Sequence, residues 1–211
     1  MKGGGMAELE EAASPLPPKR VDVDAIETAV GDLLRGLGQG DKAEVMAQTP
    51  RRVAELYAQS INPGDIDIEE DFKVFDNPGL DDLILVNDVH YVSMCEHHLA
   101  PAFGIAHLGY VPDRKVAGYS KLKKGLNYLS RQPQLNERLV VQAVDFLESR
   151  LQPKGIGLIL RSAHCCIALR TNAPSQEVVT VADLRGVLRE DRYRQPLWSS
   201  AVAERPSFLG R

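Results

Sequence analysis

Between Val21 and Leu37 the apolar residues Ile26, Val30, Leu33 and Leu34 recur at helical spacing, and Gly38 and Gly40 stop the run. Thr49-Pro50 then reads as the start of a second helix, with Thr49 as its cap, Pro50 in its first turn and an end near Ser60. Asn62-Pro63-Gly64-Asp65 has the composition of a turn. From Leu83 the texture changes. LILVNDVHYVSMC and FGIAHLGYV are rich in β-branched and aliphatic residues and predict strands. Ser120 is placed to cap a helix carrying Leu122, Leu126 and Leu129 that ends before Pro133. A further helix presents Leu135, Leu139, Val140, Ala143, Val144, Leu147 and Leu151 on one face. Gly155 opens a strand over IGLILRSAHCCIALR, EVVTVADLRGVL predicts the last strand, and a polar tail spotted with aromatics follows.

This order predicts an α+β domain, with helices packed on one face of an antiparallel sheet. The chain divides into a tail over 1–20, a helical region over 21–62 and the main domain over 63–211. The first segment is rich in Gly, Ala, Glu and Pro and is expected to be disordered.

Composition narrows the class. With 44% hydrophobic and 26% charged residues the chain reads as a soluble globular protein. A net charge of -4 argues against a nucleic-acid groove spread over the surface and leaves room for a local cationic pocket. No apolar run is long enough to span a bilayer. The first residues have neither the apolar stretch of a secretory signal nor the Arg-rich look of a transit peptide, so a cytoplasmic location is expected. Three cysteines, two of them adjacent, make a poor disulfide framework and suit a reducing compartment.

The densest chemistry is Cys95-Glu96-His97-His98. Cys95 and His98 are three apart and can face one side of a tight turn, a common half of a zinc site. Ala163-His164-Cys165-Cys166 supplies further donors. Read as a strand, it puts His164, Cys166, Ala168 and Arg170 on one face and Cys165 on the other. Cys95, His98 and Cys166 are then the candidate ligands, with His97 and His164 free beside the metal. Three protein ligands leave a fourth position for water, the arrangement of a catalytic site. Spacing alone leaves zinc and ordinary buried residues both open.

Ser120-Lys121-Leu122-Lys123-Lys124 begins a helix whose free N–H groups, hydroxyl and ammonium groups suit a phosphate. Arg170 and Arg52 are further candidates for the same anion, and a solvated helix face is the alternative for the lysines. Glu137, at a helix start, either answers the helix dipole or grips the N–H edge of a guanine.

Together TPRRVAELY, SMCEHHLAPAFG, AHLGYVPD, GYSKL, NERL, QPKGIGLIL, AHCCIALR and RGVLRED resemble GTP cyclohydrolase I over roughly residues 22–195. The resemblance implies a T-fold (tunnelling fold) α+β domain assembled as a homodecamer, with sites between subunits. It implies a Zn2+ cofactor on Cys95, His98 and Cys166, and GTP opened at C8 of the guanine. Formate and 7,8-dihydroneopterin triphosphate are the implied products. His97 and His164 would move protons, Ser120 would help the ribose steps, and Glu137 would anchor the guanine. Lys121, Lys124 and Arg170, with Arg52 from a neighbouring subunit, would clamp the triphosphate. Asn136 stands where the family usually has Gln, Lys124 where it often has Arg, Tyr119 at a common Leu and Ala102 at a bulky aromatic. These departures touch the nucleotide pocket. They keep open a diverged relative serving a pterin or deazapurine pathway, and a zinc- and nucleotide-binding homologue without turnover.

Overall fold

The computed structural model describes residues 21–61, 68–171 and 177–203; the expected tail over 1–20 and turn over 62–65 lie outside them. Helix α1 (Val23–Gly36) starts at Asp22, whose carboxylate accepts the Ala25 N–H at 3.0 Å. Helix α2 (Ala43–Ile61) packs along α1. Arg51 ties the two together, reaching Asp24 and Glu27 on α1 and Glu55 on its own helix. α2 begins ahead of Thr49, so Thr49 is no cap and buried Pro50 lies inside the helix. The strong helix formers in AEVMAQ carry the helix back through the proline, which forgoes one backbone hydrogen bond.

A short helix, α3 (Ile68–Asp71), leads to strand β1 (Val74–Asp76), which pairs with β4 (Lys115–Ala117) in a small antiparallel sheet. The main sheet has the order β5-β2-β3-β6-β7, formed by β2 (Ile84–Cys95), β3 (Pro101–Val111), β5 (Pro133–Gln134), β6 (Gly155–His164) and β7 (Val179–Gly186). Every pairing in it is antiparallel except the two-residue contact of β5 with β2. Helices α4 (Tyr119–Ser130) and α5 (Asn136–Leu151) cover one face. Leu122, Leu126, Leu129, Leu139, Val140, Ala143, Val144, Leu147 and Leu151 are all buried there against Val89, Tyr91, Ala106, Leu108, Ile156, Leu158 and Leu160. This is the α+β arrangement expected from the sequence, two long helices on one face with a helical appendage ahead. Ser120 does not cap α4. Gly118 does, its carbonyl taking the Lys121 and Leu122 amides, and Ser120 joins the first turn.

The polar tail expected after β7 is in fact a 3-10 turn (Val187–Arg189) and helix α7 (Asp191–Val202), packed on the opposite face of the sheet. Tyr193, Leu197 and Ala201, four residues apart, form its buried stripe; the polar residues around them hid the period. Gly109 and Gly157 pair across β3 and β6 beneath it. A Cβ at Gly157 would stand 3.0 Å from Leu197 Cδ2, so the two glycines make the notch that Leu197 fills.

Gly186, which ends β7, has φ 56° and lies against the Lys154 carbonyl. A side chain there is strained by conformation and by contact. Gly186→Ala is expected to cost about 2 kcal/mol, or about 4–8 °C in thermal midpoint, read by thermal unfolding.

Candidate metal centre and active site

The chain reverses between β2 and β3 through Cys95-Glu96-His97-His98-Leu99-Ala100. The Leu99 N–H donates to the Cys95 carbonyl at 2.8 Å and the Cys95 N–H to the Ala100 carbonyl at 2.9 Å. Leu99 takes φ 48°, an uncommon conformation for a non-glycine residue. Tyr57 on α2 helps hold it, its hydroxyl donating to the Leu99 carbonyl at 2.8 Å. The turn brings His98 Nδ1 to 3.5 Å from Cys95 Sγ.

Cys166 arrives from the other side, on a helix and not on a strand. β6 ends at His164, and Cys165–Thr171 forms α6. The ladder with β3 closes at Ala102↔His164, because the next residue of β3 is Pro101, which has no N–H to give. The alternating face expected over His164, Cys166, Ala168 and Arg170 is therefore absent. Cys166 is buried and Cys165 half-buried. The Arg170 Nε donates to the Cys166 carbonyl one helical turn back at 2.8 Å.

The ligand atoms of Cys95, His98 and Cys166 lie within 4.8 Å of one another, and the three can hold a metal. Burial pushes the Cys166 thiol up, the neighbouring Cys95 adds to the shift, and Arg170 opposes it. Two thiols crowded together resist ionisation until a cation joins them, which is the chemistry a soft divalent metal satisfies. Tetrahedral zinc with ordinary bond lengths separates a sulfur and a nitrogen ligand by about 3.6 Å, close to the Cys95–His98 spacing. The donor set fits that ion.

His164 sits at the end of β6. Its Nε2 lies 2.8 Å from Asn136 Nδ2 and 3.0 Å from Ser162 Oγ. Burial holds its pKa below the ordinary histidine value, and Glu137 pulls the other way. Glu137 is exposed in the first turn of α5. Asn136, expected in the substrate pocket, is buried with its amide on His164 and Ser162. His97 is exposed, its ring centroid 6.2 Å from that of His98.

The sequence model of the GTP cyclohydrolase I family matches residues 26–201. The chain belongs to the GTP cyclohydrolase I family. The GTP cyclohydrolase 1 of Aquifex aeolicus is 37% identical, the match covering 81% of this chain and 91% of that one. The GTP cyclohydrolase 1 of Streptococcus agalactiae serotype V is 36% identical, over 82% of this chain and 92% of its own. Among solved structures, the archaeosine synthase QueF-Like in the apo form is similar at 16% identity and TM-score 0.42, covering 49% of this chain and 93% of that one.

In this GTP cyclohydrolase I family member the expected anion-binding residues are spread around the centre. Ser120 and Lys121 lie in the first turn of α4, where the Lys121 N–H is already given to the Gly118 carbonyl. Lys124 is paired with Asp71 at 2.5 Å. Arg52 is exposed on α2 and makes no hydrogen bond or ion pair among the described residues.

Several residues at the site were not singled out by the sequence. Arg138 grips Glu96 at 2.7 Å and so ties the ligand-bearing turn to the helix start that carries Glu137. Arg138 draws the Glu96 pKa below the ordinary carboxylate value. Ser162 is fully buried on the same strand face as His164. Strand parity is the signal that could have found it, since residues 162 and 164 lie on one side. Nothing local in the sequence marks Tyr57 or Arg138.

Proposed function

We propose that this chain is a zinc-dependent GTP cyclohydrolase I that converts GTP and water to formate and 7,8-dihydroneopterin triphosphate. The observation that carries the reading is the convergence of Cys95, His98 and Cys166 in a chain of this family, with His164 two residues from Cys166 and Glu137 near enough to His164 to raise its pKa. Zinc there supplies the Lewis acidity that makes water a nucleophile near neutral pH.

This chain's own residues do the rest. Glu137 accepts hydrogen bonds from the N–H edge of the guanine. His164 and His97 move protons to and from the opening imidazole ring. Half-burial lowers the His164 pKa and so favours the neutral imidazole, the form that can accept a proton. Ser120 assists the ribose rearrangement. The triphosphate meets the α4 N-terminus, Lys121 and Arg170, with Arg52 reaching in from a neighbouring subunit. Lys124, neutralised by Asp71, is left out of the clamp.

Arg52, without a partner among the described residues, and the exposed Leu33, Leu37 and Leu56 of the helical appendage support assembly as a homo-oligomer, a decamer by resemblance. The appendage (21–62) and the catalytic domain (63–211) then act together. Among the described residues no helix is long and apolar enough to cross a membrane. Three free cysteines suit a reducing compartment, and we assign the enzyme to the cytoplasm.

His164→Ala is expected to keep zinc and nucleotide binding while formate release falls by about 100-fold or more. Full turnover in that variant contradicts the role. The engagement of Asn136 with His164 favours, as a second reading, a relative that opens a different purine nucleotide. A panel of nucleoside triphosphates separates the two by which one releases formate fastest.

A further inference from the structure

A row of three residues crosses the sheet beside His164. Tyr91 on β2 faces Gly104 on β3, which faces Ser162 on β6. The Tyr91 ring lies over Gly104, where a Cβ would overlap it. Tyr91 is 3% exposed, and its hydroxyl is buried without a hydrogen bond of its own, with Ser162 as the polar side chain beside it. Asn136, at the first turn of α5, closes the group from above, 4% exposed.

We propose that Asn136, anchored on Ser162, is a positioning residue that holds His164 with Nε2 as a hydrogen-bond acceptor and its ring proton on Nδ1, so that the nitrogen offered to substrate is Nδ1 as a donor.

The directions follow from what each group can do. An amide nitrogen only donates; a serine hydroxyl donates once and accepts twice. Asn136 Nδ2 donates to Ser162 Oγ at 2.5 Å and faces His164 Nε2 at 2.8 Å. Ser162 Oγ lies 3.0 Å from the same nitrogen. Nε2 therefore faces an amide nitrogen that can only donate to it, and a ring nitrogen that accepts leaves the proton on the other. Nδ1 has no hydrogen-bond partner among the described residues. The arrangement also accounts for Asn136 in place of the longer Gln, because its short amide reaches both Ser162 and His164.

The consequence for turnover rests on the reading of His164 as a proton-transfer residue; the position of the proton does not. The test is 15N NMR of zinc-loaded protein labelled at histidine, at about pH 8, above the ordinary imidazole range. His164→Ala identifies the His164 signals. The expected spectrum shows a protonated Nδ1 and a bare Nε2. Asn136→Asp replaces a donor by an acceptor. It is expected to put a proton on Nε2 with zinc content kept, at some cost in thermal midpoint from the buried carboxylate, and to lower kcat about tenfold with KM changed less than about twofold. Ser162→Ala keeps the Asn136 donor, so the proton stays on Nδ1 and kcat falls less than in Asn136→Asp. A proton on Nε2 in the unaltered protein overturns the proposal, and that spectrum needs no positioning variant to fold. An Asn136→Asp protein that keeps its proton on Nδ1 overturns it as well. Failure of GTP turnover, with the proton on Nδ1, counts against the proposed activity and not against this geometry.

Discussion

Cys166→Ala is expected to empty the metal site and abolish formate release while leaving the fold in place. Cys166 provides one of three donors, and the other two come from a single turn, so its loss leaves only the Cys95–His98 pair. The fall in metal affinity should exceed the roughly 100-fold that removal of an outer-shell partner costs. The two hydrophobic cores contain neither Cys95 nor Cys166, so thermal unfolding of the metal-free variant should resemble that of the metal-free parent. Cys165→Ala is the control: Cys165 stands outside the donor group and its loss should leave zinc bound. Burial and Cys95 raise the Cys166 thiol, and metal loading must drive off its proton, so affinity should weaken as pH falls. Metal content after dialysis, across pH, checks both statements. A Cys166→Ala protein that retains stoichiometric zinc contradicts the ligand assignment.

The second large effect concerns the face away from the site. Leu197→Ala should destabilise the protein by about 3 kcal/mol, lowering the thermal midpoint by about 6–12 °C. Leu197 is fully buried among Val111, Ile159, Leu188, Tyr193 and Ala201 and fills the notch above Gly109 and Gly157. Gly157→Ala alone pushes a methyl group against Leu197 and should also destabilise. In the double variant the new methyl group occupies part of the cavity left by Leu197, so the combined loss should be smaller than the sum. A strictly additive result would show that Leu197 does not sit in that notch.

These two regions differ in how far the sequence revealed them. The α4–α5 face was legible because its helices carry long apolar stripes and their strands are plainly β-rich. α7 was not, because its buried stripe is sparse and polar residues surround it. The Cys95–His98 spacing pointed to the metal turn but left zinc and ordinary buried residues both open, and only the surrounding motifs favoured the metal. The choice of Cys166 over Cys165 came from an alternation that the structure lacks, since α6 replaces the strand after His164. What ends that strand is Pro101 on its neighbour, a pairing invisible before the register is known. The polar group behind His164 was half legible. Ser162 follows from parity, while Tyr91 and Asn136 join it only through the pairing of three strands and the placement of α5.

The most direct test of the account is incubation of the purified, zinc-loaded protein with GTP, following formate and, after oxidation, pterin fluorescence. The account predicts both products in equal amounts. Neither product, with zinc bound and the fold intact, would contradict it.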